Sequence, residues 1–331
     1  MIAQDSSYLA INGCGQFECI TQTIRKTFVR TFNNDSLTWL SIEKLQFSPN
    51  GRYLSFHTKE AYPGEQLWVY DLISKSVSLV TELGTKGLNE VVVSDSKWIS
   101  SDTILALLHT YGSSGGAYHF IKTTFQGKIE EIPPPTEYDE FVDIEHTKWN
   151  AYLTSPSGNY RVIGPLEYKN PISLINLRQS NRVFFKMKYN NGYFLWTADE
   201  QYLVFAEMYG SGMYTVKAAR VQPKYEPFDI DTNNVDHLIE LTGLCTSPNG
   251  HLVLYPHIFK SECIIMDLAK RKTVAVVKSG ENPMWAAWSS QNILALVCRR
   301  CKIPSEPFKK EIGIVSPNEY EIYLLKLPKL R

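Results

Sequence analysis

The sequence has no excess of charge of either sign: 34 Lys plus Arg stand against 34 Asp plus Glu in 331 residues. A neutral chain has no overall field to draw it to DNA or RNA, so nucleic acid is set aside as a partner. Long apolar runs are also missing; none approaches the roughly 20 residues that span a bilayer as a helix. The opening MIAQDSSYLAING has neither a basic n-region nor an apolar h-region, so no secretory leader is expected there. Six cysteines are too few for a disulfide scaffold. These absences lead to the expectation of a cytoplasmic chain with reduced thiols and no membrane contact. Helical periodicity is absent throughout, whereas 12% of residues are aromatic, 19 are tyrosine, and Val, Ile and Thr are plentiful. That composition favours strands.

What the sequence does contain is a repeat. Residues 47–72 read FSPNGRYLSFHTKEAYPGEQLWVYDL: a polar turn, an alternating strand, a Pro/Gly loop and a second strand ending Tyr-Asp-Leu. Residues 246–268 (TSPNGHLVLYPHIFKSECIIMDL) and 154–177 (TSPSGNYRVIGPLEYKNPISLINL) repeat the pattern. Weaker copies start at Trp98, Trp196 and Trp288. The starts are about 40 to 55 residues apart, the period of propeller blades. Phe47, Trp98, Trp196 and Trp288 occupy one aligned position at the end of an inner strand, where a large apolar group fills the gap between neighbouring sheets.

The expected fold is therefore all-β: a single closed β-propeller of four-stranded antiparallel blades spanning residues 1–331. Residues 7–33 look like two or three further strands, and the strand around 321–327 would complete their sheet. Pairing residues 1–35 with 316–331 closes the ring and removes free edges. Seven blades are expected on that count, with six as the alternative.

The Ser-Pro-Asn-Gly turn, its following strand and Leu67-Trp68-Val69-Tyr70-Asp71-Leu72 resemble the TolB-like, WD40-like propeller repeat. The resemblance is at the level of fold and covers the chain from about residue 40 onward. The Gly-His and Trp-Asp signatures of true WD40 repeats are missing. Similar propellers occur in TolB, beside the hydrolase domain of prolyl-oligopeptidase-like enzymes and in some polysaccharide lyases. The resemblance implies a scaffold, and function has to come from sites on it.

In such a ring, the connections from second to third strands surround the mouth of the central channel. Aligning second-strand ends places Thr58, His109, Pro165, Glu207, His257 and Cys298 at one equivalent position. Two residues on are Glu60, Tyr111, Glu167, Tyr209, Phe259 and Arg300. Convergent imidazoles, carboxylates, phenols and a guanidinium are what binding or acid–base chemistry uses, although any ring of loops carries polar residues. His109 or His257 would serve as base, Tyr111 or Tyr209 as acid, and Arg300 as anion clamp. His109, Glu207 and His257 would together suit a transition metal.

Asp229-Ile-Asp231-Thr-Asn233-Asn234, then Glu240, matches the calcium-loop pattern D-x-D-x-N-G-x5-E except that Asn234 replaces the glycine. Asp229, Asp231, Asn233, the Val235 carbonyl and Glu240 supply the oxygen ligands calcium needs. The alternative is an acidic, solvated connector. A second acidic stretch, residues 130–145, reads as a solubilising face. Gly112-Ser113-Ser114-Gly115-Gly116 formally fits G-x-S-x-G but lies between strands, so Ser114 is no nucleophile elbow. Cys298-Arg-Arg-Cys301 has zinc-ligand spacing, with scattered free thiols as the simpler reading.

Three functions follow: a non-catalytic propeller that binds a protein, peptide or small-molecule ligand at the channel mouth, a lyase- or hydrolase-type enzyme there, or a calcium-stiffened structural repeat protein. Binding needs nothing beyond the repeat and is preferred.

Overall fold

The structure is a computed structural model. It describes residues 9–12, 18–21, 23–24, 26–27, 41–59, 66–80, 91–110, 117–124, 129–133, 154–163, 172–178, 181–185, 190–208, 214–221, 226–230, 244–257, 261–279, 282–300, 319–328 and 330. Apart from one helical turn within residues 21–27, the regular structure described is all strand. No helix among the described residues is long and apolar enough to cross a membrane. The chain divides into two compact units, residues 15–147 with 281–328, and residues 1–14 with 148–280 and 329–331.

The first unit holds three sheets. Strands Ser41–Phe47, Tyr53–Lys59, Gln66–Asp71 and Ser76–Leu79 pair in sequence order, as do Val91–Trp98, Thr103–Thr110, Ala117–Thr124 and Ile129–Ile132. The third sheet orders Asn282–Trp288, Ile293–Arg300 and Glu319–Lys326, then takes Glu18–Cys19 as its outer strand. Glu18 lies opposite Leu324 and Cys19 opposite Tyr323, antiparallel. Glu319–Lys326, which the sequence suggests for a separate sheet with the amino-terminal strands, belongs to the sheet of the Trp288 repeat.

The second unit also holds three. Tyr160–Ile163, Ile172–Asn176 and Asn181–Phe185 form one, with Thr154 bridging to Arg161 beside Tyr160–Ile163. Asn190–Trp196, Tyr202–Met208, Tyr214–Arg220 and Glu226–Asp229 form the next. The last orders Cys245–Thr246, Leu252–His257, Glu262–Asp267 and Lys272–Lys278, with Leu9–Asn12 added outside in parallel.

Period-2 alternation explains how the sheets stack. In the Ser41 sheet, Leu54, Phe56, Trp68 and Tyr70 face Ala295, Val297, Ile322 and Leu324 of the terminal sheet. Tyr53, Leu67 and Val69, on the opposite face, meet Ile104, Ala106 and Ile121 of the Val91 sheet. In the other unit, Phe194, Trp196, Leu203 and Phe205 pack with Val162 and Leu174. Leu195, Tyr202, Val204 and Ala218 pack with Val253 and Tyr255. Each sheet between two neighbours is thus apolar on both faces.

The aligned aromatics end the first strands as the repeat implies. Trp98 stacks on Tyr53 of the preceding sheet at 6.2 Å between ring centroids, and Trp196 stacks on Tyr160 at 5.8 Å. Trp98 Nε1 donates to Ser55 Oγ (3.0 Å) and the Gln46 carbonyl (3.3 Å). Trp196 Nε1 is buried and finds no acceptor among the described residues.

The turns between first and second strands share one construction. Ser48 Oγ accepts the Tyr53 N–H (3.0 Å), while the Gly51 N–H donates to the Ser48 carbonyl (2.8 Å). Ser155 with Tyr160, Thr197 with Tyr202 and Ser289 with Ile293 repeat the hydroxyl contact. Three residues after the hydroxyl the backbone is left-handed: φ is +71° at Gly51, +73° at Gly158, +56° at Glu200 and +59° at Asn292. The weaker repeats therefore keep the turn without the glycine.

Gly51 is also needed for space, since a Cβ there would lie 2.8 Å from Ser290 Oγ of the neighbouring turn. At Gly250, φ is +87° but a Cβ would meet nothing within 4 Å. We expect Gly51→Ala to destabilise by more than the ~1 kcal/mol of left-handed strain expected for Gly250→Ala, read from urea midpoints. Trp98→Phe should cost about 1–2 kcal/mol for its lost hydrogen bonds. Trp196→Phe, which removes an N–H without an acceptor, should cost distinctly less in the same assay.

Candidate functional site

Each sheet has two unlike ends. At one end are short turns: those just described, and those joining third to fourth strands. At the other end the second strands finish and the connections to the third strands begin. In the first unit these connections are residues 60–65, 111–116 and 301–318, and in the second unit 164–171, 209–213 and 258–261.

His109 is the next-to-last residue of Thr103–Thr110, opposite Tyr118, and is half-buried. Burial holds its pKa below the usual imidazole range, so the neutral ring, the form a base requires, prevails at pH 7. Arg300 ends Ile293–Arg300, opposite Glu319. Glu207 lies opposite Thr215 near the end of Tyr202–Met208, and His257 opposite Glu262 at the end of Leu252–His257. His109 and Arg300 thus belong to one unit, Glu207 and His257 to the other.

Two aligned positions do not face outward. Thr58 is 1% exposed, and its hydroxyl accepts the Trp68 indole N–H at 2.9 Å; Cys298 is fully buried. Asp229, the exposed last residue of Glu226–Asp229, has Oδ1 3.6 Å from Lys217 Nζ across the strand pair. Tyr111, Tyr209, Asp231, Asn233, Val235 and Glu240 lie outside the described residues, as do Ser114, Cys301 and residues 134–145. Among the described residues, Cys19, Cys245, Cys263 and Cys298 form no disulfide with one another. No group of three or more metal-ligating side chains occurs among the described residues.

The polar clusters that are in place lie elsewhere. In the Ser41 sheet, the turn residue Arg52 donates Nε (3.2 Å) and Nη2 (2.8 Å) to the two Asp71 oxygens. Asp71 Oδ1 also accepts the Ile73 N–H, closing the turn to the fourth strand. In the Cys245 sheet, His251 and Asp267 occupy the same two positions. His251 Nε2 is 3.3 Å from Asp267 Oδ1, while Nδ1 is 3.2 Å from Asp199 Oδ2 of the adjoining sheet. Asp267 Oδ1 accepts the Lys270 N–H, and Lys270 Nζ lies 3.0 Å from Oδ2. The Asp of the Tyr-Asp-Leu and Met-Asp-Leu repeats therefore joins two turns of one sheet.

Turns also join neighbouring sheets. Ser157 gives its N–H to Glu200 Oε1 and its hydroxyl to Oε2 (2.7 Å). Gln291 Nε2 donates to the Asn50 carbonyl (3.0 Å), and Ser290 Oγ to the Pro49 carbonyl (3.1 Å). Between the Ser41 and Val91 sheets, buried His57 Nε2 lies 2.7 Å from Ser96 Oγ, and Gln46 Nε2 donates to the Ser96 carbonyl. One sequence signal for these clusters was available: the residue after the turn glycine (Arg52, His251) complements the later Asp. The His57–Ser96 contact had no local signal.

No family model and no curated protein sequence matches the chain. Solved structures do. Regucalcin from Agrobacterium tumefaciens, described as a calcium-binding protein, superposes with a TM-score of 0.52 at 10% identity, covering 96% of this chain and 95% of its own. A WD40 propeller chain of a mitotic checkpoint complex gives 0.50 at 12% identity, covering 89% and 93%. TolB from Acinetobacter baumannii gives 0.42 at 13% identity, covering 72% of this chain and 56% of the TolB chain. The likeness is one of fold. This chain resembles the TolB-like and WD40-like propellers, in agreement with the repeat, and at these identities its activity does not follow from theirs.

The clasp between turns has a pH signature. Arg52 beside Asp71 holds that carboxyl well below its usual range, down to about 2, against the opposing effect of burial, with help from the Ile73 and Ser74 amides. A depressed folded-state pKa means the contribution is complete above the unfolded value of 3.8 and is lost as pH falls toward about 2. We expect Asp71→Asn to be destabilising at pH 6 and to narrow its deficit against wild type between pH 4 and pH 2, measured by urea midpoints at each pH.

Proposed function

We propose that the chain is a non-catalytic binding propeller: a closed ring in which the six described sheets act as blades and Glu18–Cys19 joins Glu319–Lys326 to complete the last. Its binding surface is the end of the sheets where second strands finish. The observation that carries this reading is the division of labour between the two ends. Hydroxyl-led turns, the Arg52–Asp71 and His251–Asp267 clasps and the sheet-to-sheet turn contacts occupy one end. Connections containing Tyr62, Tyr111, Tyr168, Tyr209 and Phe259 leave from the other. Contact residues on loops held by a rigid scaffold are the usual way a repeat fold binds, and aromatics are the side chains that anchor interfaces. The superposition on a propeller chain of a multiprotein complex favours a protein or peptide over a small molecule.

Affinity capture with the purified chain, followed by titration of the captured protein, tests this. Tyr111→Ala with Tyr209→Ala should weaken binding at least tenfold without moving the thermal midpoint. Loss of binding in the turn-end variant Lys75→Ala with Ile73→Ser, and none in the tyrosine variant, would refute it.

Calcium is the second reading, supported by the oxygen-rich stretch that opens at exposed Asp229 and runs through Asp231, Asn233, Val235 and Glu240. Regucalcin's description as a calcium-binding protein is compatible with it. Calcium at 100 times its Kd should stabilise the chain by about 2.7 kcal/mol. A thermal melt with calcium and then chelator measures this, and Asp231→Ala should abolish the shift. Equal midpoints with calcium and with chelator would remove the ion from the account.

A further inference from the structure

The outer strands of the sheets are not alike. Ser76–Leu79 (SVSL), Ile129–Ile132 (IEEI) and Glu226–Asp229 (EPFD) are four residues each, with serines, carboxylates or proline along the edge. Short, polar or proline-bearing edges are how sheets avoid pairing with strangers. The fourth strand of the Cys245 sheet breaks this pattern. Lys272–Lys278 (KTVAVVK) is seven residues long, with lysine only at its two ends. Ala275 and Val277 are fully buried and Val276 is 8% exposed. Three consecutive buried residues mean that both faces of this strand are covered, since successive side chains point to opposite sides.

Its backbone edge is covered as well. Leu9–Asn12 lies along it, with Leu9 opposite Ala275, Ala10 opposite Val276, Ile11 opposite Val277 and Asn12 opposite Lys278. This is the one parallel strand pair among the described residues; every other named pair is antiparallel and most are hairpin-linked. The covering strand arrives from the far end of the sequence and is held by four residue pairs. Uncovered, Ala275 to Val277 would form an apolar edge of the kind that recruits another strand.

We infer that the outer edge of Lys272–Lys278 is a strand-accepting surface, and that its partner is the Leu9–Asn12 strand of a second copy of the chain, exchanged for its own. The same hydrogen bonds and register serve within one chain or between two, so no new interface has to evolve. A short strand held by few pairs lies at the low-stability end of a fold, where local opening is commonest. Concentration then decides between the two arrangements. Apolar character of the acceptor with lysine at each end favours this neutral Leu-Ala-Ile-Asn strand over a basic one.

Directly opposed Cα atoms on neighbouring strands stand about 5 Å apart, within the span of a disulfide. One sample of the full chain carries Ala10→Cys, a second Val276→Cys, and a third both substitutions. The first two are mixed at high concentration, oxidised gently and analysed by mass spectrometry, which separates the 10–276 link from those of the native cysteines. A 10–276 link should form between the two chains, with a species of two-chain mass in light scattering that grows with concentration. The doubly substituted chain should link internally when dilute. A link that forms only within the doubly substituted chain, with light scattering monomeric at every concentration, overturns the exchange. No link in any sample overturns the strand pairing itself.

Discussion

A small antiparallel sheet with apolar side chains on both faces has no stable existence in water; it has to be sandwiched. That constraint orders the rest of this chain. Leu54, Phe56, Trp68 and Tyr70 on one face of the Ser41 sheet, and Tyr53, Leu67 and Val69 on the other, each require a neighbour that brings its own apolar face. Burial at these contacts, at about 25 cal/mol per Å² of apolar surface, is the main favourable term holding each unit together. It is non-directional, however, and would tolerate sliding of one sheet over the next.

Direction comes from the polar groups that the stacking traps. His57 finds Ser96, Gln46 finds the Ser96 carbonyl, and the Trp98 indole finds Ser55, all across one inter-sheet gap. At the turn end, Asp71 and Asp267 each tie two turns of a sheet, and His251, Gln291 and Ser157 carry the tie to the next sheet. A buried polar atom left without a partner costs about 1–3 kcal/mol, so each such pair fixes a register that the apolar contacts leave free. With one end of the sheets committed to this bracing, the other is available to carry a variable surface. The scaffold and the candidate binding face are separated by the direction of the strands.

Much of the fold is legible in the sequence because its signals are local and recur. The hydroxyl-led turn and the alternating strand reappear at a propeller's period, an Asp ends two of the third strands (Asp71 and Asp267), and an aromatic ends four of the first strands (Phe47, Trp98, Trp196 and Trp288), where the repeat puts it. Non-local facts are not legible. Nothing in Glu319–Lys326 says that it belongs with Ile293–Arg300, and nothing in Leu9–Asn12 predicts a parallel partner in Lys272–Lys278. Thr58 and Cys298 show a related difficulty. Alignment puts them at strand ends, but where both faces are buried, period-2 alternation cannot say which residues look outward. His251 between two carboxylates follows from the packing of two sheets, and no single repeat contains all three groups.

The turns are the rigid part of each sheet, and hydrogen exchange at single-residue resolution measures that directly. The amides of Gly51, Tyr53, Ile73, Tyr160, Tyr202 and Lys270, each donated to a turn carbonyl, hydroxyl or carboxylate, should exchange as slowly as the central strands. Exchange of these amides at the rate of free, solvated backbone, with the central strands still protected, would contradict it.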